Sequence, residues 1–98
     1  MYEIVYEKQV LKDIQNLKAV KLDKKARLLI DIVSNNPYQN PPPYEKLLGN
    51  FRGVLSRRIN IQHRLVYEVD NTAFEKNGVN YQGTVKIIAM WSHYENMN

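Results

Sequence analysis

The chain has 98 residues, 44% hydrophobic and 24% charged, which suits a single domain over residues 1–98 with one modest core. No apolar run approaches the ~20 residues of a membrane span, and the absence of cysteine excludes a disulfide framework and a thiol nucleophile. A formal net charge of +4 and a pI of about 9.4 favour a polyanionic partner, nucleic acid or an acidic protein.

The first eight residues carry two acids and no basic stretch before an apolar run, so they do not read as a signal peptide, and a cytoplasmic protein is expected. Residues 2–6 alternate, with Ile4, Val5 and two tyrosines, and predict a short strand. Val10, Leu11, Ile14 and Leu17 predict a helix over roughly residues 8–19. A second helix starts at Leu22-Asp23, with Asp23 as N-cap and Ala26, Leu29, Ile30 and Val33 as its apolar face. Asn35-Asn36-Pro37 should end it, since Asn can take the left-handed conformation and Pro cannot continue a helix. The short gap between the two predicts an antiparallel helical hairpin.

Residues 37–44 hold all four prolines and predict a stiff extended connector that delivers Glu45-Lys46-Leu47 onto the domain. Three strands follow, at about residues 53–60, 62–70 and 84–92, the first two joined by a tight connection at 60–62. In the middle strand His63, Leu65, Tyr67 and Val69 share one face and Arg64, Val66 and Glu68 the other. Residues 71–83, with Gly78, Gly83 and several Asn, read as an exposed loop. The sum is an α+β fold of order β-α-α-β-β-β. Two helices pack on one face of a small, mainly antiparallel sheet, and the other face is free to build a site.

Two histidines, no cysteine and no carboxylate cluster make no metal pattern, and the scattered glycines make no phosphate loop. What remains is Glu45, Arg58, Arg64, His93 and Tyr94, with Lys46 nearby. RNA can be cleaved without metal or cofactor, because its 2′-OH is an internal nucleophile. A base must take the 2′ proton, a cation must stabilise the phosphate, and an acid must protonate the 5′ oxygen. A carboxylate, an arginine and a histidine can fill those roles. Each group also has a structural alternative. Glu45 could be a solvated loop acid, and Arg58 and Arg64 surface strand charges. His63, on the face of Leu65 and Tyr67, reads as a structural imidazole, and Trp91 and Tyr67 as core. Tyr44 and Tyr94 could stack on unpaired bases.

The run Pro43-Tyr44-Glu45-Lys46-Leu47, Gly53, Ser56-Arg57-Arg58-Ile59, His63-Arg64-Leu65-Val66-Tyr67 and the terminal His93-Tyr94 resembles the Txe/YoeB toxins of bacterial type II toxin–antitoxin modules, within the RelE/ParE superfamily. The resemblance implies the RelE-like microbial RNase fold and an mRNA endoribonuclease that acts in the ribosomal A site. It implies an antitoxin partner of the Axe/YefM kind, the ribosome and mRNA as further partners, and no membrane; it leaves room for a homodimer. By position in the family pattern, Glu45 is the implied general base and Arg64 the phosphate-binding group. His93 is the implied general acid, and Tyr94 orients substrate. Arg58 is an RNA contact, and Lys46, standing where the family often has proline, has a supporting role. Two features depart from the pattern: the long 71–83 segment, and four residues after Tyr94. The alternatives are a module that blocks translation on RNA or the ribosome without cutting, and an inactive toxin kept as part of a repressor complex.

Overall fold

The structure, a computed structural model, describes residues 1–47 and 53–91. Strand β1 (Tyr2–Tyr6) leads into helices α1 (Val10–Ala19) and α2 (Asp23–Asn35). Strands β2 (Glu45–Lys46), β3 (Val54–Arg58) and β4 (Arg64–Asp70) follow, then a small hairpin of β5 (Phe74–Lys76) and β6 (Val79–Tyr81), then β7 (Gly83–Ala89). The five-stranded sheet has the order β1-β7-β4-β3-β2, with β1 parallel to β7 and the other pairs antiparallel. This is the α+β arrangement of two helices and a mainly antiparallel sheet that the patterning predicts.

The helices cover one face. Val10, Leu17, Ala26, Leu29 and Val33 meet Leu55, Ile59, Leu65, Tyr67, Val85 and Ile87 in one buried cluster. Alternation sends Val54, Val66 and Ile88 to the opposite face, and the register shift between β4 and β7 at Val66/Tyr67 brings Ala89 there as well, in a smaller cluster with Leu47. The interhelical turn closes as a Schellman motif. Leu22 N–H donates to the Leu17 carbonyl (2.9 Å) and Lys21 N–H to that of Lys18 (3.1 Å). Lys21 takes the left-handed conformation at φ 62°, and Leu17 and Leu22 both join the core.

Several expectations need correction. Asp23 is the first helical residue of α2, not its cap: Leu22, held by the turn, supplies the first acceptor through its carbonyl to Ala26 N–H (3.1 Å). Asp23 still places a carboxylate in the first turn, the favourable end of the dipole. Asn36 is extended (φ −155°, ψ 103°) rather than left-handed, as sterics demand of a residue that precedes proline. Strand β3 stops at Arg58 because Asn60 Oδ1 captures the N–H groups of Gln62 (2.9 Å) and His63 (2.7 Å) and turns the chain. The 71–83 segment is not a plain loop. It holds the β5–β6 hairpin, turned at Asn77-Gly78 with φ of 52° and 79°. Positive φ at both central residues suits a two-residue hairpin turn, and Asn-Gly is the dipeptide that favours it. Phe74 stacks on Tyr81 (centroids 5.1 Å) and Lys76 pairs with Glu3 (2.9 Å), which fastens the hairpin beside β1.

Candidate active site

The proline connector is built around a buried cation. Arg57, 1% exposed, points from β3 to the helix side of the sheet. Its guanidinium donates to the carbonyls of Pro37 (3.0 Å), Gln39 (2.7 Å) and Pro42, and its Nε to the Tyr67 hydroxyl (2.9 Å). Tyr67 in turn donates to Pro37 O (2.8 Å), and the Tyr44 ring lies 5.0 Å from the guanidinium carbon. Burial raises the Tyr67 pKa above its ordinary 10.0, with the Arg57 hydrogen bond opposing that shift. The connector is thereby pinned along its length, and it ends at Glu45. Of the middle-third arginines, Arg57 is therefore an architectural group.

On the opposite face of the sheet Glu45, Ser56, Arg58 and Arg64 come together, and with Pro43 and Tyr44 they line a cleft of about 240 Å³. Pairing accounts for this. Glu45 lies across from Ser56, and Arg58 across from Arg64. Arg64 Nη2 is 3.4 Å from Glu45 Oε1, and Nη1 donates to Ser56 Oγ at 3.2 Å. The Arg64 side chain is 15% exposed and that of Glu45 66%, so the cation is seated and the carboxylate stands at the rim. Arg58 is exposed beside them. Two arginines across one strand pair repel, and the acceptors on Ser56 and Glu45 offset this by holding Arg64 inward.

Tyr44 lines the cleft, yet its ring also packs on Arg57 and edge-on to Tyr38 (centroids 6.5 Å). Lys46, one residue on from Glu45, lines a different cavity with Tyr38, Leu47 and Val69. His63 is buried and stacked on Trp91 (centroids 4.1 Å, 16° between planes). The imidazole therefore serves packing at the end of β7, as its face predicts. Met90 N–H just beyond β7 donates to Asp13 Oδ2 of α1 (3.0 Å). His93 and Tyr94 lie outside the described residues. The exposed cations of the helices, Lys12, Lys18, Lys24, Lys25 and Arg27, belong to the layer on the far side of the sheet from the cleft.

Sequence reasoning assigned nothing to Ser56 and counted Arg57 only as charge. Ser56 shares strand parity with Arg58, which could have placed it on the cleft face. No local signal separates Arg57 from Arg58 except that same parity, which puts Arg57 among the apolar residues.

The YoeB-like toxin of bacterial type II toxin–antitoxin system family matches residues 6–94. The chain belongs to this family. The YoeB toxin of a Synechocystis species is 43% identical over 49 residues, which is 50% of this chain and 57% of that protein. The chain thus aligns with little more than half the length of that relative. The YoeB–YefM complex of Staphylococcus aureus contains a chain 30% identical, covering 96% of this chain and 99% of that one with a TM-score of 0.70. The toxin of that organism is also described as a dimer. A YoeB/ParE toxin from Agrobacterium tumefaciens shares the fold, with a TM-score of 0.76 at 23% identity over 94% of this chain and 99% of that one. The family relation agrees with the resemblance carried by the Ser-Arg-Arg-Ile and His-Arg-Leu-Val-Tyr runs. Among the described residues no helix is long and apolar enough to cross a membrane.

Proposed function

We propose that the chain is a ribosome-dependent mRNA endoribonuclease of one domain that acts in the cytoplasm and halts translation by cutting in the A site. The observation that carries this reading is the Glu45–Arg64 pair at the mouth of a cleft also lined by Arg58 and Tyr44. At 3.4 Å the contact is long for a charge-assisted hydrogen bond. A phosphate can therefore draw off Arg64 at small cost and leave the carboxylate to accept a proton.

In the reaction Glu45 takes the proton of the 2′-OH, and the 2′ oxygen attacks phosphorus. The bond from phosphorus to the 5′ oxygen breaks, and His93 supplies the proton to that oxygen. Arg64, with Arg58, neutralises charge on the phosphate oxygens as it grows, and Tyr94 orients the substrate. The products are a 2′,3′-cyclic phosphate and a 5′ hydroxyl. The partner we assign is a YefM-like antitoxin, because the Staphylococcus aureus relative is described in complex with YefM.

The test is a translation reaction on one defined mRNA, with RNA 5′ ends mapped by primer extension. Wild type should give a discrete cut within the A-site codon. Glu45→Gln and His93→Gln should each lose ~10²–10⁴ of the rate, the range typical of a removed acid or base. Halted translation with intact mRNA would overturn the nuclease in favour of a blocking module.

A further inference from the structure

We propose that Ser56 is a positioning residue for cleavage: its hydroxyl holds the Arg64 guanidinium in register with the scissile phosphate. The inference rests on the nuclease reading above. Ser56 is 1% exposed, at the centre of the β2–β3–β4 ladder, across from Glu45 on one side and Val66 on the other. Its Oγ accepts from Arg64 Nη1 at 3.2 Å, while Nη2 reaches Glu45 at 3.4 Å.

These two acceptors differ in what they do during the reaction. Glu45 is mobile in role: it must leave Arg64 to take the 2′ proton, and it becomes neutral when it does. Ser56 is neutral throughout and fixed in the strand. It is therefore the acceptor that keeps its hold on Arg64 when the ion pair opens. The need for such a hold is local. Arg58 stands directly across from Arg64, so a guanidinium with no inner acceptor is pushed toward solvent and away from the cleft floor. One bond on Nη1 leaves Nη2 and its protons for the phosphate, which suits the two-pronged contact an arginine makes with that group.

The test uses the full chain with translating ribosomes and a defined mRNA, comparing wild type with Ser56→Ala, Ser56→Thr, Arg64→Ala and the Ser56→Ala/Arg64→Ala double variant. Single-turnover cleavage is read as a function of toxin concentration. The maximal rate of Ser56→Ala should fall about tenfold, the worth of one hydrogen bond to a charged group, with little change in the half-saturating concentration. Ser56→Thr, which restores the hydroxyl, should recover most of that rate. In the Arg64→Ala background, Ser56→Ala should cost nothing further, since the group it acts through is gone. Thermal melting of each variant separates these effects from loss of fold, and Ser56→Thr carries the test should Ser56→Ala melt early.

An unchanged maximal rate in folded Ser56→Ala would overturn the proposal, as would an equal loss with Arg64 present and absent. Intact mRNA with wild type would overturn the nuclease reading itself and the positioning role with it, and full cleavage by Glu45→Gln would overturn Glu45 as the base and the account of an ion pair that opens during the reaction. Those two results involve no Ser56 variant, so the two failures are told apart.

Discussion

Replacing Arg57 by Met should be among the most damaging single changes to this fold. The methionine keeps a linear stem but removes every polar contact of the guanidinium. Four hydrogen bonds are lost, to the Pro37, Gln39 and Pro42 carbonyls and to the Tyr67 hydroxyl, together with the contact to the Tyr44 ring. A hydrogen bond to a charged group contributes ~1.5–3 kcal/mol net, but the sum is not additive, and Pro37 O keeps its bond from Tyr67. Burial of the cation is itself costly and is relieved by the change, so the loss comes from the Gln39 and Pro42 carbonyls left without their donor, at ~1–3 kcal/mol each, about 3–5 kcal/mol together. A chain of this length has ~5–15 kcal/mol in all. For a domain of this size ~1 kcal/mol shifts the melting temperature by about 4–8 °C. Arg57→Met should therefore melt roughly 12 °C or more below wild type, read by circular dichroism. Tyr67→Phe, which removes one donor and one acceptor, should lose ~1–2 kcal/mol. A melting temperature for Arg57→Met within about 4 °C of wild type would refute the claim that this cation ties the connector to the sheet.

Gly83→Ala should be disruptive for want of room rather than for backbone strain. An added Cβ would stand 2.1 Å from the Asp70 carbonyl oxygen and 3.0 Å from the Tyr2 ring. Overpacking of this kind costs ~1–3 kcal/mol or more, measurable as a lower urea midpoint; a midpoint equal to wild type would show that β4 and β7 part easily. Lys21→Gly should act in the opposite direction. A side chain in the left-handed region costs ~1–2 kcal/mol, so relief at φ 62° should raise the melting temperature, and a fall would sink the argument. Alkaline pH should destabilise the protein through Tyr67. Its folded pKa is raised by burial, so the unfolded chain loses its proton first, and stability falls as pH climbs past the ordinary value of 10.0. Tyr67→Phe should start less stable and lose less between about pH 9 and pH 11; parallel curves would contradict this.

The helical hairpin and the central strands are legible from periodicity because their burial is one-sided. Val10, Ile14 and Leu17, or Leu65, Tyr67 and Val69, repeat with the spacing of the element that buries them. The β5–β6 hairpin was not legible, and its segment reads as an exposed loop. Asn77-Gly78 is a turn signal, but the flanking strands are only three residues each and largely exposed, so no run of hydrophobic alternation marks them. The two-residue strand β2 has no pattern of its own and exists only because β3 lies beside it. Glu45, Arg58 and Arg64 were recognised as candidates by residue type and family pattern, and pairing in the sheet set them around one cleft.

Composition, periodicity and motif thus determined the class of fold, the layers, the family and the residue types offered for chemistry, because each depends on neighbours near in sequence. The tertiary structure alone decided which arginine is which. Arg57 and Arg58 are adjacent in the chain, yet one is sealed among carbonyls under the connector and the other stands exposed at the cleft. The physical reason is the pleat. Successive side chains of a strand leave by opposite faces, and only the packing of helices on one of those faces makes the first a strut and the second a free charge.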